Sequence, residues 1–316
     1  MENVTFNSPY LHLEGVIVSE QTLYPAFLFF LFVYAFIMVS NLGIVLIIIM
    51  EKNLHEPMYI LFCSLPLNDA FGNSVIVPRM LVDIFKPYSE RYISYVECVS
   101  QAFCFHMYLA ASHTILMAMA FDRYVAICNP LHYTTIMTPR MVAKLTAAAW
   151  GVAFVCVSVL LSLTIRLNLC GTSIVNPFCD NASLFKLACE SPYINNVYGL
   201  IYTAVLLGSS LLYIIITYAK ITAVCLTTKN KTLNSKALKT CSTHLTVFLI
   251  MWLSGFIMII LHRFSGYADY RKGAAVLFHI GPGVLNPIIY ALQSGEIRNV
   301  ILKILRSKRV MLTQAF

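Results

Sequence analysis

The fold is decided by the stretch Met119-Ala120-Phe121-Asp122-Arg123-Tyr124-Val125-Ala126-Ile127-Cys128, which ends a long apolar run. Asp122 and Arg123 put two adjacent charges at the end of a membrane-embedded helix, where charges are costly and are kept for a reason. A second apolar run, far downstream, ends in Leu285-Asn286-Pro287-Ile288-Ile289-Tyr290. Pro287 lacks a backbone donor, and inside lipid only a packed helix bundle can absorb that loss. The two stretches therefore predict a membrane bundle that opens and closes at one end.

Composition places nearly the whole chain in a membrane. Of the 316 residues, 59% are hydrophobic and 11% are charged, whereas a soluble domain has about 25% charged residues. No basic residue precedes Lys52, so the chain begins without the basic segment of a cleavable signal peptide. We therefore predict one membrane domain over residues 1–316, whose first span acts as its own insertion signal.

Seven apolar runs are long enough to cross a bilayer, which takes about 20 residues. They predict an all-α fold, a seven-transmembrane helix bundle, with residues 1–22 before it and residues 293–316 after it. Apolar and basic residues alternate at helical spacing over Gly295–Arg306, which predicts a short amphipathic helix on the inner membrane surface. The predicted spans are Leu23–Ile49, Met58–Leu81, Cys98–Ile127, Met141–Ile165, Asn195–Leu226, Ala237–Leu261 and Gly273–Leu292.

The distribution of basic residues predicts the orientation. With the N-terminus outside, 14 of the 22 Lys and Arg residues, Arg123 among them, fall on the cytoplasmic side, and such an excess is typical of cytoplasmic segments. The N-terminus is then extracellular and the C-terminus cytoplasmic. Most of the net charge of +8 would face anionic membrane lipids and a protein partner, and no nucleic-acid site is predicted.

Cysteines and glycosylation sequons agree with this orientation. Four cysteines fall on the predicted outer side, where disulfides persist, namely Cys98, Cys170, Cys179 and Cys189. Four cysteines allow three pairings, so the residues alone leave the connectivity open. The other six cysteines lie in spans or on the inner side and are interpreted as small apolar residues. Sequons at Asn3 and Asn181 predict two glycosylation sites on the outer side.

Four motifs, in order and at the right spacing, identify a family. They are Leu54-His55-Glu56-Pro57-Met58-Tyr59, MAFDRYVAICNPLHY over residues 119–133, KALKTCSTHL over residues 236–245, and Pro282–Tyr290 with Ile297-Arg298. With them the chain resembles the odorant (olfactory) receptors, a branch of the rhodopsin-like G-protein-coupled receptors, nearly from end to end. Phe121 and His262-Arg263-Phe264 resemble the fish-like branch (class I), whose ligands include carboxylic acids.

The resemblance implies a receptor in the plasma membrane that binds a small odorant and activates a stimulatory heterotrimeric G protein. It implies no cofactor other than a sodium ion near Asp69. It also implies the disulfides Cys98–Cys179 and Cys170–Cys189. The chain departs from the family at Trp252, where phenylalanine or tyrosine is usual, and in the outer loop around residues 180–182, so ligand contacts from that loop are not carried over.

The resemblance makes Arg123 the residue that transmits the signal, neutralised at rest by Asp122, with Tyr218 as its partner in the active state. No Asp or Glu occurs between Glu190 and Asp269, so no acidic residue at the base of the sixth helix can hold Arg123. This weaker restraint leads to the hypothesis of some ligand-free signalling. The other residues assigned to activation and G-protein coupling are Tyr124, Asn286, Pro287 and Tyr290.

Asp69 lies in the middle of the second predicted span, where a carboxylate should face the bundle and find partners. The candidate partners are Asn41, Asn286 and Ser112. The resemblance implies a polar network that often holds sodium, although Ser112 stands where these receptors usually carry glutamate. A protonated Asp69 with a structural role is the other interpretation, because burial shifts the pKa of a carboxyl group.

A ligand cavity is predicted in the outer half of the bundle, between the third, fifth, sixth and seventh helices. Arg263 or His106 could hold an anionic head group by charge-assisted hydrogen bonds. Arg263 could instead reach lipid headgroups, and His113 and His279 are interpreted as histidines bonded across the bundle. By helical spacing the predicted lining is Phe105, His106, Leu109, Gly199, Tyr202, Phe256, Ile259 and Arg263.

Other protein classes fit less well. The sequence has no metal-ligand spacing, phosphate loop or nucleophile–base pair that would indicate an enzyme, and no paired half-repeats that would indicate a transporter. An amine receptor would need an acidic residue where Phe105 stands. The alternative that remains is an orphan rhodopsin-like receptor or a membrane scaffold, which a dose-dependent cAMP response would distinguish from an odorant receptor.

Overall fold

The computed structural model describes residues 9–16, 18–228, 231–263, 268–293 and 295–303. Seven of its helices are long and apolar enough to cross a membrane, and each contains one predicted span. The predicted seven-helix bundle is thereby confirmed. The helices are α1 (Leu23–Met50), α2 (Pro57–Ile84), α3 (Tyr95–Cys128), α4 (Pro139–Ile165), α5 (Tyr193–Thr227), α6 (Lys231–Arg263) and α7 (Ala268–Gln293).

Local sequence explains where two of the helices begin. At the start of α3, the Glu97 N–H donates to the Ser94 hydroxyl at 3.2 Å and the Ser94 N–H donates to the Glu97 carboxylate at 3.1 Å. This reciprocal pair satisfies donors that the first helical turn leaves unpaired. At the start of α4, Thr138 accepts from the Met141 N–H at 3.3 Å, and Pro139 follows with a backbone angle suited to a first helical turn.

Helix α3 lies at the centre of the bundle and packs against α2, α4, α5 and α6. Its small residues Ala102, Ala111 and Ala120 are fully buried, which lets neighbouring helices approach closely. Helix α5 is the opposite case, because large apolar side chains such as Ile201 and Val205 are exposed on it. In a bilayer such side chains meet lipid tails that are as apolar as a protein core.

Helices α2 and α3 pack tightly at Gly72. A Cβ atom at this position would lie 2.3 Å from a ring carbon of Tyr108, whose side chain is fully buried. We expect Gly72→Ala to lower surface expression and to destabilise the purified receptor by about 1–3 kcal/mol, the usual cost of overpacking. Cell-surface labelling and thermal unfolding in detergent would measure the effect.

Gly43 on α1 provides the matched control. An added Cβ there meets nothing within 4 Å, so Gly43→Ala should leave expression unchanged or raise it slightly, since alanine is the better helix former. Equal behaviour of the two variants would contradict the packing argument for Gly72.

One end of the bundle, here called the disulfide end, carries the bonds Cys98–Cys179 and Cys170–Cys189. These are the pairings that the family resemblance implied. The first bond attaches the loop between α4 and α5 to the start of α3. The second closes the two sides of that loop on each other. The loop is therefore held across the mouth of the bundle.

The segment before α1 adds a small sheet to the disulfide end, which the sequence analysis did not predict. Strand β1 (Tyr10–Leu13) lies between β2 (Tyr92–Ser94), with which it is antiparallel, and β3 (Ser173–Ile174), with which it is parallel. We call residues 10–16 the strap. Because β2 and β3 belong to different loops, the strap joins those two loops side by side.

Two charged side chains anchor the strap. The buried Arg91 guanidinium donates to the backbone carbonyls of Glu14, at 2.7 Å, and Val16, at 3.2 Å. The Glu14 carboxylate forms an ion pair with Lys272 of α7 at 2.7 Å. Gly15 lies between these anchors with φ of 68°, a backbone conformation that favours glycine. The strap thus connects both loops to the seventh helix.

The opposite end of the bundle, here called the Arg123 end, includes a short helix over residues 295–303. It lies inside the predicted amphipathic segment, of which residues 304–306 are outside the described residues. Ile297 is buried, whereas Arg298 and Lys303 are exposed. The Tyr59 hydroxyl of α2 donates to the Glu296 carboxylate, which attaches this helix to the start of α2.

Candidate functional site

A cavity of about 630 Å³ opens within the bundle near the disulfide end. Residues of α3, α5, α6, α7 and the loop between α4 and α5 line it, and most of the lining is apolar. This size and character are typical of small-molecule sites. Six of the eight predicted ligand residues lie on its wall, namely Phe105, His106, Leu109, Gly199, Tyr202 and Ile259.

Phe256, a predicted ligand residue, does not line the cavity in this structure. Its ring stacks on Trp252 at 5.2 Å, its side chain is 43% exposed, and it is not among the lining residues. The Trp252 indole N–H donates to the Leu207 carbonyl of α5 at 3.1 Å, so this pair faces α5. The wall from α6 is formed one helical position away, by Met251, Gly255 and Met258 among others.

The side chain of Arg263, predicted as the main cation of the site, lies outside the described residues. Two charged residues of the α4–α5 loop do line the cavity, Lys186 and Asp180. The Asp180 carboxylate is already engaged, because it accepts from the Ser183 N–H at 2.6 Å and from the Asn176 amide at 3.0 Å. The described cavity wall therefore carries one cation and one internally bonded anion.

His106 lines the cavity, but its imidazole does not carry the positive charge that was predicted. Its Nε2 accepts a hydrogen bond from the Asn181 N–H at 3.3 Å. A ring nitrogen that accepts carries no proton, so the imidazole is neutral in this arrangement and its proton is on Nδ1. The predicted positive charge at His106 is therefore corrected to a neutral donor that also holds the loop in place.

The structure contradicts glycosylation at Asn181. Its side chain is 3% exposed, and its carbonyl oxygen accepts from the Thr164 hydroxyl of α4 at 2.6 Å. An amide enclosed in this way leaves no room for a glycan in this fold, because the residue begins a short buried helix (Asn181–Phe185) that packs on α4. The other predicted site, Asn3, lies outside the described residues.

The Arg123 end holds a second polar cluster. The Arg123 guanidinium donates to the Asp122 carboxylate from Nε at 2.9 Å and also from a terminal nitrogen. The other carboxylate oxygen of Asp122 accepts from the Tyr133 hydroxyl at 2.9 Å. Burial, and then the Asp122 carboxylate, raises the pKa of the Tyr133 phenol above its usual range, so this hydroxyl stays a neutral donor.

Tyr133 is the member of this cluster that sequence reasoning missed. It ends the motif over residues 119–133, but its sequence separation from Asp122 gives no indication of contact. The two meet because α3 ends at Cys128 and a short turn over Pro130–His132 carries Tyr133 back to the helix. The Asp122 carboxylate therefore has two partners, Arg123 and Tyr133, whereas the Arg123 guanidinium bonds only to Asp122 among the described residues.

Three tyrosines, Tyr124, Tyr218 and Tyr290, are assigned to activation. The Tyr218 and Tyr290 hydroxyls are enclosed and have no hydrogen-bond partner among the described residues. The Tyr290 ring contacts Phe62 at 4.2 Å and His244 at 6.3 Å. Tyr124 differs, because the Lys220 ammonium lies 5.7 Å above its ring. The two unpaired hydroxyls are available to new partners when helices move.

The network at Asp69 is only partly as predicted. The Asn286 amide donates to the Asp69 carboxylate at 2.8 Å. Asn41 instead donates to the Gly283 carbonyl at 2.9 Å, and Ser112 accepts from Asn68 at 2.9 Å, so neither bonds Asp69 directly. Pro287 follows Asn286 within α7 without ending the helix. The network thus connects α2 to α7 through one direct pair.

The side-chain oxygens at the Asp69 network are carboxylate and amide oxygens, the chemical type that a hard cation such as sodium prefers. One oxygen each of Asn41, Asp69 and Asn286 is enclosed without a hydrogen-bond partner in the described part of the chain. Carboxylate and amide oxygens are the ligands that hard cations prefer. Among the described residues, no group of three or more His, Cys, Asp or Glu side chains could hold a metal ion.

A ligand-sized cavity at one end of seven membrane helices and a pair of a half-buried Arg123 with a buried Asp122 at the other define a membrane receptor of the seven-helix class. The model of the olfactory receptor family matches residues 30–308, and the chain belongs to this family. It is 36% identical to human Olfactory receptor 8D4 over 297 residues, 94% of each chain. It is 35% identical to human Olfactory receptor 52D1 over 277 residues, 86% of each chain.

Olfactory receptor 8U9 of Mus musculus is 32% identical over 302 residues, which cover 95% of this chain and 96% of the relative. Olfactory receptors are G-protein-coupled odorant receptors of the plasma membrane and are not enzymes. The predicted family and the predicted class of function are therefore confirmed.

Proposed function

We propose that this receptor binds a small carboxylic acid in the cavity near the disulfide end and activates a stimulatory G protein at the Arg123 end. The observation that carries the proposal is the cavity of about 630 Å³, lined by apolar side chains below a loop tied to α3 by Cys98–Cys179. A cavity this large accepts a small organic molecule whole. The assignment to the fish-like branch, whose ligands include acids, remains a prediction.

The orientation in the membrane is part of the proposal. The excess of Lys and Arg at the Arg123 end supports a cytoplasmic location of that end. The two disulfides support an extracellular location of the other end, because disulfides persist outside the cell. The ligand would then enter from outside, and the basic surface around Arg123 would face the membrane lipids and the G protein.

The acid's head group would lie near the mouth of the cavity. Lys186 lines the wall there, the Nδ1 proton of neutral His106 supplies one donor, and Arg263 at the end of α6 supplies the second cation. Hydrogen bonds to charged groups are roughly twice as strong as neutral ones. The tail would pack on Phe105 and Leu109, where each buried methylene contributes about 0.8 kcal/mol.

The ligand would act on the G-protein site through α6 and α7, which line the cavity and continue to the Arg123 end. Arg123 would leave Asp122 when that end opens, and the enclosed Tyr218 hydroxyl would become its partner. Asn286, Pro287 and Tyr290 would allow α7 to move. A sodium ion, when bound, would neutralise Asp69 and would be held by the oxygens of Asp69, Asn41 and Asn286.

The test is a dose–response screen in cells that report cAMP, using straight-chain acids of four to ten carbons and their ethyl esters. We expect the acids to be at least about tenfold more potent than their esters, since an ester forfeits a charge-assisted bond of roughly 1.5–3 kcal/mol. If only neutral odorants activated the receptor, the proposal that its ligand is a carboxylic acid would be contradicted. Silence toward all odorants would favour the orphan receptor or scaffold.

A further inference from the structure

His113 lies deeper in the cavity than the proposed head-group site. It follows His106 by seven residues on α3, which places it about 10.5 Å farther along the helix. Its side chain is 4% exposed, yet it lines the cavity together with Met251 and Leu207. We call this part of the cavity the floor. His113 brings a titratable, hydrogen-bonding ring to an otherwise apolar floor.

The hydrogen bonds around His113 determine which ring nitrogen carries the proton. Nδ1 lies 3.4 Å from the Ser210 hydroxyl of α5. That hydroxyl donates its own proton to the Leu207 carbonyl at 3.1 Å. Because a hydroxyl has one proton, Ser210 must accept from His113, and the His113 proton is on Nδ1. Nε2 is then a free lone pair, able to accept a hydrogen bond.

Nε2 of His113 is also accessible from the cavity. Within the described part of the chain it has no hydrogen-bond partner, and it is not among the fully enclosed polar atoms that lack one. His279, on the opposite wall, differs in this respect. Its Nε2 donates to the Gly72 carbonyl at 3.1 Å and its Nδ1 is fully enclosed. Of these two histidines, His113 offers an acceptor to a ligand.

We infer that His113 selects ligands that carry a hydroxyl group at the end that reaches the floor. Ser210 fixes the ring so that Nε2 accepts from this hydroxyl. This inference rests on the proposed function, since it places the ligand in the same cavity, but it does not depend on the acid at the mouth. The ligand class it names is a small amphiphile with one polar group at each end.

The experiment compares two ligands of the same size, 8-hydroxyoctanoic acid and nonanoic acid, which differ by a hydroxyl in place of the terminal methyl. The quantity measured is the ratio of their EC50 values in the cAMP assay. We expect His113→Phe to shift this ratio against the hydroxy acid by roughly three- to tenfold, the range of a neutral hydrogen bond. Ser210→Ala should shift it less, because the ring stays but its tautomer is no longer fixed.

The matched control is His279→Phe, the same replacement on the same cavity, which should leave the ratio unchanged whatever it does to overall potency. An unchanged ratio in His113→Phe, or an equal shift in His279→Phe, would overturn the inference. If His113→Phe does not reach the cell surface, Ser210→Ala alone must shift the ratio for the inference to stand.

The ethyl esters of the same two ligands separate this inference from the acid proposal. If the esters activate the receptor and the acids do not, the acid proposal fails, and the ester ratio still tests His113. If neither hydroxylated compound activates the wild-type receptor, the floor does not accept a hydroxyl group and the inference fails.

Discussion

Arg123→Ala should abolish the odorant-evoked cAMP response. The guanidinium is the cation of the pair with the buried Asp122, and its proposed partner after activation, Tyr218, has an enclosed hydroxyl without a hydrogen-bond partner among the described residues. Without it the opened Arg123 end has no charged group to offer the G protein at this position. Any ligand-free signal, which the lack of an acidic residue on α6 leads us to expect, should disappear with it.

The measurement is cAMP output divided by the amount of receptor at the cell surface. This correction matters because Asp122 loses its ion-pair partner, although the Tyr133 hydroxyl still donates to it. Arg140→Ala is the matched control, since Arg140 is an exposed arginine at the same end. Its response should stay close to wild type. A normal response per surface receptor in Arg123→Ala would contradict the role given to Arg123.

Arg263→Ala should weaken the response to small carboxylic acids by about one to two orders of magnitude. This corresponds to the loss of a charge-assisted hydrogen bond of roughly 1.5–3 kcal/mol. Arg263→Lys should recover only part of the potency, because an ammonium cannot bind a carboxylate with two parallel hydrogen bonds. The EC50 values of one acid and its ethyl ester would be measured for each variant.

Arg166→Ala is the control for this prediction, because Arg166 is an exposed arginine at the disulfide end and does not line the cavity. It should change neither EC50 value. Potency for the ester should also fall far less than potency for the acid in Arg263→Ala. Unchanged acid potency in Arg263→Ala would contradict the head-group role given to Arg263.

The sequence was most informative where physical constraints act along one chain segment. Each span was found because crossing a bilayer requires a continuous apolar run. The residues of α3 and α5 that line the cavity were predicted correctly because they recur at helical spacing on one face of each helix, as Phe105 and Leu109 do on α3 and Gly199 and Tyr202 on α5. Helix α6 is apolar on most sides, so its sequence does not set its rotation, and Phe256 was placed on the wrong face.

Features that depend on distant segments could not be predicted. Nothing local in Tyr10–Leu13 indicates a strand, because its two partners lie in loops about 80 and 160 residues away and four residues have no stability alone. The same holds for the contact of Tyr133 with Asp122 and for the enclosure of Asn181. Each of these contacts joins segments that are far apart in sequence, so it can be recognised only once the positions of the loops are known.

The strap also fixes an order of biosynthesis. Glu14 leaves the ribosome long before Lys272, its ion-pair partner, which belongs to α7. β1 cannot complete its sheet until Ser173–Ile174 has been synthesised, and the ion pair forms only after α7 has been made. The strap is thus fully anchored only after Lys272 is in place. A receptor truncated before α7 could still pair β1 with β2 and β3, but the Glu14 carboxylate would lack its ion-pair partner and the strap would not be tied to the helix bundle through α7.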